Sequence, residues 1–331
     1  MSQAREPKPA WHDVPAALRG RVETIIGARV VADEIAWGGF GPTATFVLTA
    51  AGRKVFVKGT HPGNTERGHA AMLRECRNLQ DFPELAAFGP AFLGLAEAEG
   101  WHLAVLDCVA RETAVPPWTP QAVTETMRLI ADFHAATPAR AAHQLGTRSA
   151  SDLLAQEENW HSLRDAGVRA RFAALFASPP AVERWFESNL GRLIALKDRA
   201  AALGGPQGWM HMDIRSDNLI FGARPVLVDW PALSFGPQLL DIAFFLPSLA
   251  GEGGPPCAEG LALYEAAADT HFAADDIAMA AAAVAGFFAA RAGEHEIAAL
   301  PRLRWVQKLQ LFPALDWLCA CLGLETLARK I

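Results

Sequence analysis

The chain has 331 residues, of which 51% are hydrophobic and 20% are charged, and its net charge is −6. This composition is typical of a folded globular protein and excludes a disordered one, and the length allows two lobes with sizeable cores. Because no run of Lys or Arg forms a basic patch, we expect no nucleic-acid partner.

Two features concern location. The N-terminal sequence lacks the apolar core of a signal peptide, and the longest uncharged apolar stretch, residues 277–290, is shorter than the about 20 residues that span a bilayer. The five cysteines form no Cys-x-x-Cys pair, which favours reduced thiols over disulfides or a metal site. We therefore expect a cytoplasmic protein with no membrane partner. The oligomeric state stays open.

Residues 30–109 are predicted to form a small, mostly antiparallel sheet with one helix against it. Asn64 or Thr65 is expected to cap that helix, which should run to about Leu85. The sequence Ala-Ala-Gly-Arg indicates a hairpin between the first two strands, and Glu99 with Gly100 indicates another between the last two. The strands are predicted over residues 43–48, 54–58, 92–96 and 101–108.

The pattern changes after Val109. Pro116-Pro117 interrupts the chain, and Thr119 with Pro120 is typical of a helix start. Apolar residues at helical spacing then predict helices almost throughout, apart from an interruption between Gly204 and Asp229. The predicted fold class is α+β and bilobal, with an N-lobe of residues 1–109 and a mainly α-helical C-lobe of residues 110–331.

The segment that carries chemistry runs from Gly208 to Trp230. His211, Asp213 and Asn218 have the spacing His-x-Asp-x-x-x-x-Asn, and Asp229 ends a short apolar run. In phosphoryl transfer, one carboxylate orients the acceptor hydroxyl, while an amide oxygen and a second carboxylate hold Mg²⁺ against the phosphates. Such polar side chains would be costly to place in an apolar context for packing alone.

This segment resembles the catalytic and metal-binding loops of the aminoglycoside phosphotransferase and choline kinase family, which shares the protein-kinase-like fold. The resemblance implies that Asp213 is the catalytic base, that Asn218 and Asp229 bind Mg²⁺, and that His211 braces the loop. Asp241 resembles the carboxylate that ties down the catalytic loop. On this basis the C-lobe would carry the catalytic loop, the metal site and the acceptor pocket.

The resemblance also implies a nucleotide site in the N-lobe. Lys58 would reach the phosphates of ATP or GTP, and Glu75 on the following helix would pair with it. Alternation along a strand places Phe56 on the same side as Lys58, where an aromatic ring would stack on the base. The turn that contains three glycines would cover the phosphates, and a hinge would bind adenine through main-chain groups. The three glycines are Gly38, Gly39 and Gly41, and the hinge residues are Asp107, Cys108 and Val109.

Departures from protein kinases indicate a small-molecule acceptor. Asp229 is followed by Trp230 rather than by Phe-Gly, and only a dozen residues separate Asp229 from Asp241. A peptide-binding activation loop has no room there. Arg215 lies beside Asp213 in the sequence and would favour an acceptor with some negative charge.

The sequence does not decide the acceptor. An antibiotic such as an aminoglycoside, an amino sugar, choline or a metabolic alcohol all remain open, and so does a catalytically silent scaffold that binds nucleotide. Carboxylates would suit a cationic acceptor, although most are expected to be solvated helix-surface charges. The acidic and aromatic candidates are Glu157, Glu158, Trp160, Asp275, Asp276, Glu294, Glu296, Trp305 and Asp316.

Overall fold

The computed structural model describes residues 8–37, 43–145, 158–297, 300 and 302–330. The chain divides into two compact units. The first unit comprises the described parts of Met1–Val115, Asp217–Leu233 and Ala299–Pro301, and the second comprises those of Pro116–Ser216, Ser234–Ala298 and Arg302–Ile331.

The first unit contains a five-stranded antiparallel sheet with the strand order β1-β2-β3-β5-β4. This confirms the predicted antiparallel sheet. Two helices, α1 and α2, belong to the same unit. The bounds are α1 Ala16–Ile26, β1 Val30–Ile35, β2 Ala44–Ala50, β3 Arg53–Thr60, α2 Glu66–Asp81, β4 Phe92–Ala98 and β5 Trp101–Asp107.

Both predicted hairpins form, each with a two-residue turn in the left-handed region. Ala51 and Gly52 have φ values of 48° and 76°, and Glu99 and Gly100 have values of 52° and 77°. Two successive residues with positive φ match the right-handed twist of the flanking strands, as in type I′ turns. The turns therefore set the register that carries Lys58 on β3.

Helix α2 ends earlier than predicted. The sequence favoured a helix to about Leu85, but α2 ends at Asp81, and a 3₁₀ helix covers Pro83–Ala87. The reason is Pro83, because a proline disfavours helical backbone in the residue before it. The predicted N-terminus is confirmed, since the Thr65 hydroxyl accepts a hydrogen bond from the backbone N–H of Gly68 at 3.2 Å.

A later segment of the chain also belongs to the first unit. Strands β7, Leu219–Phe221, and β8, Pro225–Leu227, form an antiparallel hairpin. The N–H of Leu227 donates to the carbonyl of Phe88 at 2.8 Å. Gly89 admits this approach, because a Cβ at that position would lie 2.7 Å from the Leu227 carbonyl oxygen. These contacts fix the hairpin, which carries Asn218 and Asp229 together at its open end.

The second unit is mainly helical, as predicted, and contains one small sheet in which β6 pairs with β9. The predicted helix start at Thr119 and Pro120 is confirmed, because the Thr119 side chain accepts from the N–H of Ala122. Across the described residues, no helix is long and apolar enough to cross a membrane. The bounds are α3 Pro120–Ala135, α4 Ala141–Leu145, α5 Ala166–Ala173, α6 Pro179–Arg199, β6 Gln207–Met210, β9 Ser234–Pro237, α7 Gln238–Gly251, α8 Cys257–Ala268, α9 Ala274–Ala292 and α10 Leu303–Leu322.

Candidate active site

In the first unit, the ammonium group of Lys58 lies between two carboxylates. Its Nζ is 2.8 Å from Oε2 of Glu75 and 2.6 Å from Oδ1 of Asp229. The Lys58 and Glu75 side chains are 16% and 4% exposed, whereas that of Asp229 is 38% exposed. The structure therefore brings together three of the residues that the sequence analysis selected, from a strand, a helix and a later loop.

Burial and charge act in opposite directions on Lys58. Burial lowers the pKa of its ammonium group, but the carboxylates of Asp229 and Glu75 outweigh burial and raise that pKa above its ordinary value. Burial also raises the pKa of the Glu75 carboxyl, and the nearby ammonium opposes this rise. Lys58 consequently remains a full positive charge at physiological pH.

Helix α2 holds the chain that follows Asp229 through three side chains. Oε1 of Glu75 accepts a hydrogen bond from the N–H of Trp230 at 3.2 Å. Nδ2 of Asn78 donates to the Trp230 carbonyl at 2.7 Å, and Nε of Arg74 donates to the Pro231 carbonyl at 2.9 Å. Neither Arg74 nor Asn78 was predicted from the sequence. The available signal was spacing, because Asn78 follows Glu75 by three residues and therefore shares its face of α2.

Asn218 and Asp229 lie at the same end of the β7–β8 hairpin. Leu219 pairs with Leu227 in the hairpin register, and the N–H of Val228 donates to the carbonyl of Asn218 at 3.0 Å. The hairpin thus extends to Asn218 on one strand, and Asp229 is the residue after its partner. Carboxylate and amide oxygens are hard ligands of the kind that Mg²⁺ prefers, so the donor set fits that ion.

In the second unit, the loop that contains Asp213 is held by a buried carboxylate on α7. Asp241 is 1% exposed. Its Oδ2 accepts from the N–H of His211 at 2.8 Å, and its Oδ1 accepts from the N–H of Met212 at 2.6 Å. This geometry matches the tethering position that the resemblance assigns to Asp241.

Asp213 itself is more accessible. Its side chain is 38% exposed, and its Oδ1 lies 3.4 Å from Nη1 of Arg215. The imidazole of His211 is fully buried, and its Nδ1 accepts from the N–H of Asp213 at 3.3 Å. The buried imidazole of His211 thus holds the N–H of Asp213 within the loop.

A buried histidine and tyrosine extend this network. Nε2 of His134 is 3.0 Å from Oδ2 of Asp241, and its Nδ1 is 2.6 Å from the hydroxyl of Tyr264. Both ring nitrogens of the buried His134 thus have polar partners, as in a histidine that contributes to packing. Tyr264 was missed, although a lone tyrosine in an apolar helix signals a buried hydroxyl that needs a partner.

Two residues of the site have left-handed backbone. Met212 has φ = 62° and Asp229 has φ = 75°. Non-glycine residues in this region cost about 1–3 kcal/mol and persist where surrounding contacts impose them. Here the contacts are the Asp241 carboxylate on the N–H of Met212 and the Glu75 carboxylate on the N–H of Trp230.

The residues selected for nucleotide contacts have different placements. Phe56 lies on the same face of β3 as Lys58, as predicted, while Val55 and Val57 point into the core. Asp107 ends β5 and is exposed, and Cys108 and Val109 are partly buried after it. Gly38, Gly39 and Gly41 lie outside the described residues.

Several acceptor candidates are engaged with arginines inside the second unit. Glu158 pairs with Arg291 at 2.7 Å, Glu294 with Arg304 at 2.5 Å, and Asp316 with Arg329. Asp275 and Asp276 lie in the first turn of α9, where carboxylates favourably oppose the helix dipole. Trp160 is fully buried and Trp305 is 54% exposed. Glu157 lies outside the described residues.

Solved structures with the same fold share little sequence with this chain. A spectinomycin phosphotransferase in complex with ADP and spectinomycin has 12% identity and a TM-score of 0.60, and covers 93% of this chain and 98% of its own. A microcompartment-associated aminopropanol kinase has 15% identity and a TM-score of 0.55, with coverages of 92% and 98%. An ethanolamine kinase of Plasmodium vivax has 10% identity and a TM-score of 0.56, with coverages of 86% and 81%.

A search of curated protein sequences found no match. The structural matches support the protein-kinase-like fold that the sequence predicted. The profile of the phosphotransferase enzyme family matches residues 34–306, which is most of the chain and includes every described residue of the site. The chain belongs to the phosphotransferase enzyme family.

Proposed function

We propose that this chain is a Mg²⁺-dependent kinase that transfers the γ-phosphoryl group of ATP or GTP to a hydroxyl of a small molecule. The observation that carries the proposal is the Lys58 ammonium between Glu75 and Asp229, with Asn218 at the same end of the hairpin as Asp229. A lysine to position phosphates and two oxygen ligands for a cation are the parts that phosphoryl transfer needs.

The first unit would bind the nucleotide. Lys58 would contact the α- and β-phosphates, and Glu75 would hold its ammonium group in place. Asn218 and Asp229 would supply amide and carboxylate oxygens to Mg²⁺. When bound, Mg²⁺ neutralises charge on the phosphates. Lys58 contributes a positive charge, because its environment keeps the ammonium group protonated.

Three groups would make up the rest of the nucleotide site. Phe56 would stack on the base from the partly buried face of β3 that also carries Lys58. The main chain of Asp107, Cys108 and Val109 would bind its edge. The glycines at positions 38, 39 and 41 would allow close approach of the backbone to the phosphates.

The second unit would activate the acceptor. Asp213 would orient the acceptor hydroxyl and take its proton as the oxygen attacks phosphorus. His211 would brace the loop through the N–H of Asp213, and Asp241 would fix the backbone just before it. Arg215, 3.4 Å from Asp213, would orient the carboxylate and add positive charge beside the acceptor.

For the acceptor we propose an antibiotic such as an aminoglycoside, or a related amino-sugar or alcohol metabolite. Spectinomycin, aminopropanol and ethanolamine kinases share the fold, and the names of the last two point to acceptors that carry an amine and a hydroxyl. The arginines that pair with Glu158, Glu294 and Asp316 reduce the negative charge available to a polycation. Among these acceptors, those with few amines would therefore be favoured over the more highly charged aminoglycosides.

The test is ADP and GDP release with Mg²⁺ across a panel of aminoglycosides, spectinomycin-like aminocyclitols, amino sugars, amino alcohols and choline. Asp213→Ala should lower kcat about 10²- to 10⁴-fold, which is the usual contribution of a general base, and should still bind nucleotide. Asp229→Ala should instead weaken binding of the Mg²⁺–nucleotide complex. Asp132→Ala, which removes an exposed carboxylate on α3, is the control and should retain wild-type kinetics.

Two outcomes would contradict the proposal. Wild-type turnover by Asp213→Ala would show that Asp213 is not the base. No turnover with any acceptor, together with no rise in melting temperature on adding nucleotide, would leave a catalytically silent scaffold as the better description.

A further inference from the structure

The catalytic loop has a second attachment. Asp241 binds the residues that precede Asp213, and this second attachment is at Ser216, which follows Asp213. The hydroxyl of Ser216 donates to Oε1 of Glu252 at 2.7 Å. The other oxygen of the same carboxylate, Oε2, accepts from the indole N–H of Trp118 at 3.0 Å. Trp118 is 9% exposed and packs edge-on against Phe245 of α7, with ring centroids 6.0 Å apart. Trp118 thus orients the Glu252 carboxylate through Oε2, while Oε1 of the same carboxylate binds Ser216 in the loop.

Glu252 lies at the C-terminal end of α7, where the helix dipole disfavours a negatively charged side chain. Glu252 is the C-cap residue of α7, and its N–H donates to the carbonyl of Ser248 at 3.1 Å. The negative end of the helix dipole repels an acidic side chain there. Two hydrogen bonds to a charged acceptor are strong enough to offset that repulsion. The charge is therefore placed where it can bind Ser216 and Trp118.

The two attachments come from the two ends of one helix. Asp241, in the first turn of α7, holds the N–H groups of His211 and Met212. Glu252, after its last turn, holds Ser216. Asp213 lies between these points, and the buried Ile214 side chain anchors the stretch in the core.

We propose that Glu252 is a positioning residue for the catalytic base, acting through Ser216. The inference rests on the proposed function, because it assumes that Asp213 acts on the acceptor. Glu252 touches no reacting atom in this account. Its role is to keep the segment after Asp213 from shifting, so that the carboxylate stays in line with the acceptor hydroxyl. Misplacement by about 1 Å can cost about 10²-fold in rate.

The kinetic test uses a double-mutant cycle with Ser216→Ala, Glu252→Ala and the double variant. We expect each single change to lower kcat about 10- to 100-fold with little change in the KM for nucleotide. The double variant should be no worse than Glu252→Ala alone, because Glu252→Ala already removes the hydrogen bond that Ser216→Ala removes. Glu259→Ala removes an exposed carboxylate in the first turn of α8 and should match the wild type.

A conservative variant separates positioning from simple packing. In Glu252→Gln, the amide oxygen can accept from Trp118 while the amide N–H donates to the Ser216 oxygen, so most of kcat should return. Trp118→Phe keeps the Ser216 bond and should lower kcat less than Ser216→Ala does. Additive losses in the cycle, or variants that lower only the melting temperature, would overturn the proposal.

Hydrogen exchange of the loop tests the same proposal without turnover. Amides of residues 211–216 should exchange faster in Ser216→Ala and Glu252→Ala than in the wild type, and at nearly the wild-type rate in Glu252→Gln. Unchanged exchange in all three would overturn the positioning role. If the two alanine variants exchange faster but the wild type phosphorylates no acceptor, the result would support the attachment and contradict the proposed function.

Discussion

At the scale of single residues, Lys58, Glu75 and Asp229 form a cluster in which the cost of burying charges is offset by attraction between them. Glu75 is almost fully buried, and its carboxylate is compensated by one ammonium group and by the N–H of Trp230. Replacing a buried ion pair as a whole is often harmless, whereas removing one partner leaves an uncompensated charge. The cluster should therefore respond very differently to single and double substitution.

The first prediction concerns Lys58→Met. We expect the free energy of unfolding to fall by about 3 kcal/mol at neutral pH, because Glu75 and the nearby Asp229 lose their common cation. Adding Glu75→Gln should restore most of that stability without restoring nucleotide binding. Urea denaturation of both variants, with isothermal titration of Mg²⁺–ATP, measures the two effects separately.

The loss in Lys58→Met should depend on pH with a definite sign. Burial raises the pKa of Glu75, and removing the ammonium removes the main opposing effect. An acid whose pKa is raised by folding contributes full stability below its unfolded pKa and loses it as the pH rises through the folded value. The deficit should therefore be smallest near about pH 4 and grow toward neutral pH. A deficit that shrank with rising pH would contradict this account.

At the scale of elements, α2 connects Lys58 to the loop that follows Asp229. Its first turn is capped by Thr65, and its middle carries Arg74, Glu75 and Asn78, which bind the backbone of residues 230–231. The helix thus holds both the partner of Lys58 and the chain that orients Asp229. Stability of the helix and geometry of the loop can be perturbed separately.

Asn78→Ala and Thr65→Ala form a matched pair on α2. Thr65→Ala removes a cap and should cost about 1 kcal/mol of unfolding free energy. Asn78→Ala leaves the buried Trp230 carbonyl without this donor and should cost about 1–3 kcal/mol. We expect only Asn78→Ala to weaken Mg²⁺–ATP binding, because only it loosens the loop after Asp229. Equal affinities in the two variants, by titration calorimetry, would show that the loop does not depend on α2.

The sequence predicted the elements that local patterns encode. Two-residue turns at Ala51-Gly52 and Glu99-Gly100 gave the hairpins, and the threonines at positions 65 and 119 gave two helix starts. It missed α1, whose apolar Leu18, Val22 and Ile26 pack on the sheet, because a short helix with weak amphipathicity resembles a loop. The end of α2 at Asp81 was also missed, although Pro83 is a local signal, since a proline disfavours helical backbone in the residue before it.

The site was predicted only in part, and the reason is again distance along the chain. The resemblance named Lys58, Glu75, Asn218 and Asp229, but the short contact between Lys58 and Asp229 joins residues 171 positions apart. Sequence periodicity cannot predict a contact between residues so far apart in the chain. The Ser216–Glu252 and Asn78–Trp230 hydrogen bonds were missed for the same reason.

At the scale of the whole molecule, the units are assembled from separated stretches of sequence. The first unit includes residues 217–233 because their hairpin bonds to Phe88 and because the N–H of Glu112 donates to the carbonyl of Phe221 at 2.7 Å. Gly222 permits that contact, since a Cβ there would lie 2.5 Å from the Ala110 carbonyl oxygen. The segment just after Cys108 and the β7–β8 hairpin are thus packed within one unit.

The five cysteines, all free in the structure, provide an accessibility probe across the molecule. Burial raises the pKa of the Cys76 and Cys257 thiols to about 12, so they should resist alkylation until the chain unfolds. Cys321 is exposed and Cys108 is partly exposed, although burial raises the pKa of both thiols. We expect iodoacetamide at mildly alkaline pH to modify Cys321 first and Cys108 next, as read by mass spectrometry.

Nucleotide should then distinguish these two accessible thiols. If the main chain of residues 107–109 binds the base, saturating Mg²⁺–ATP should slow alkylation of Cys108 several-fold, because the ligand covers the segment that carries it. Cys321, near the end of α10 in the other unit, should react at the same rate with and without nucleotide and is the internal control. Unchanged alkylation of Cys108, measured where titration calorimetry shows that ATP is bound, would place the base elsewhere. Slowing at both cysteines would instead indicate a change of the whole chain rather than contact at the hinge.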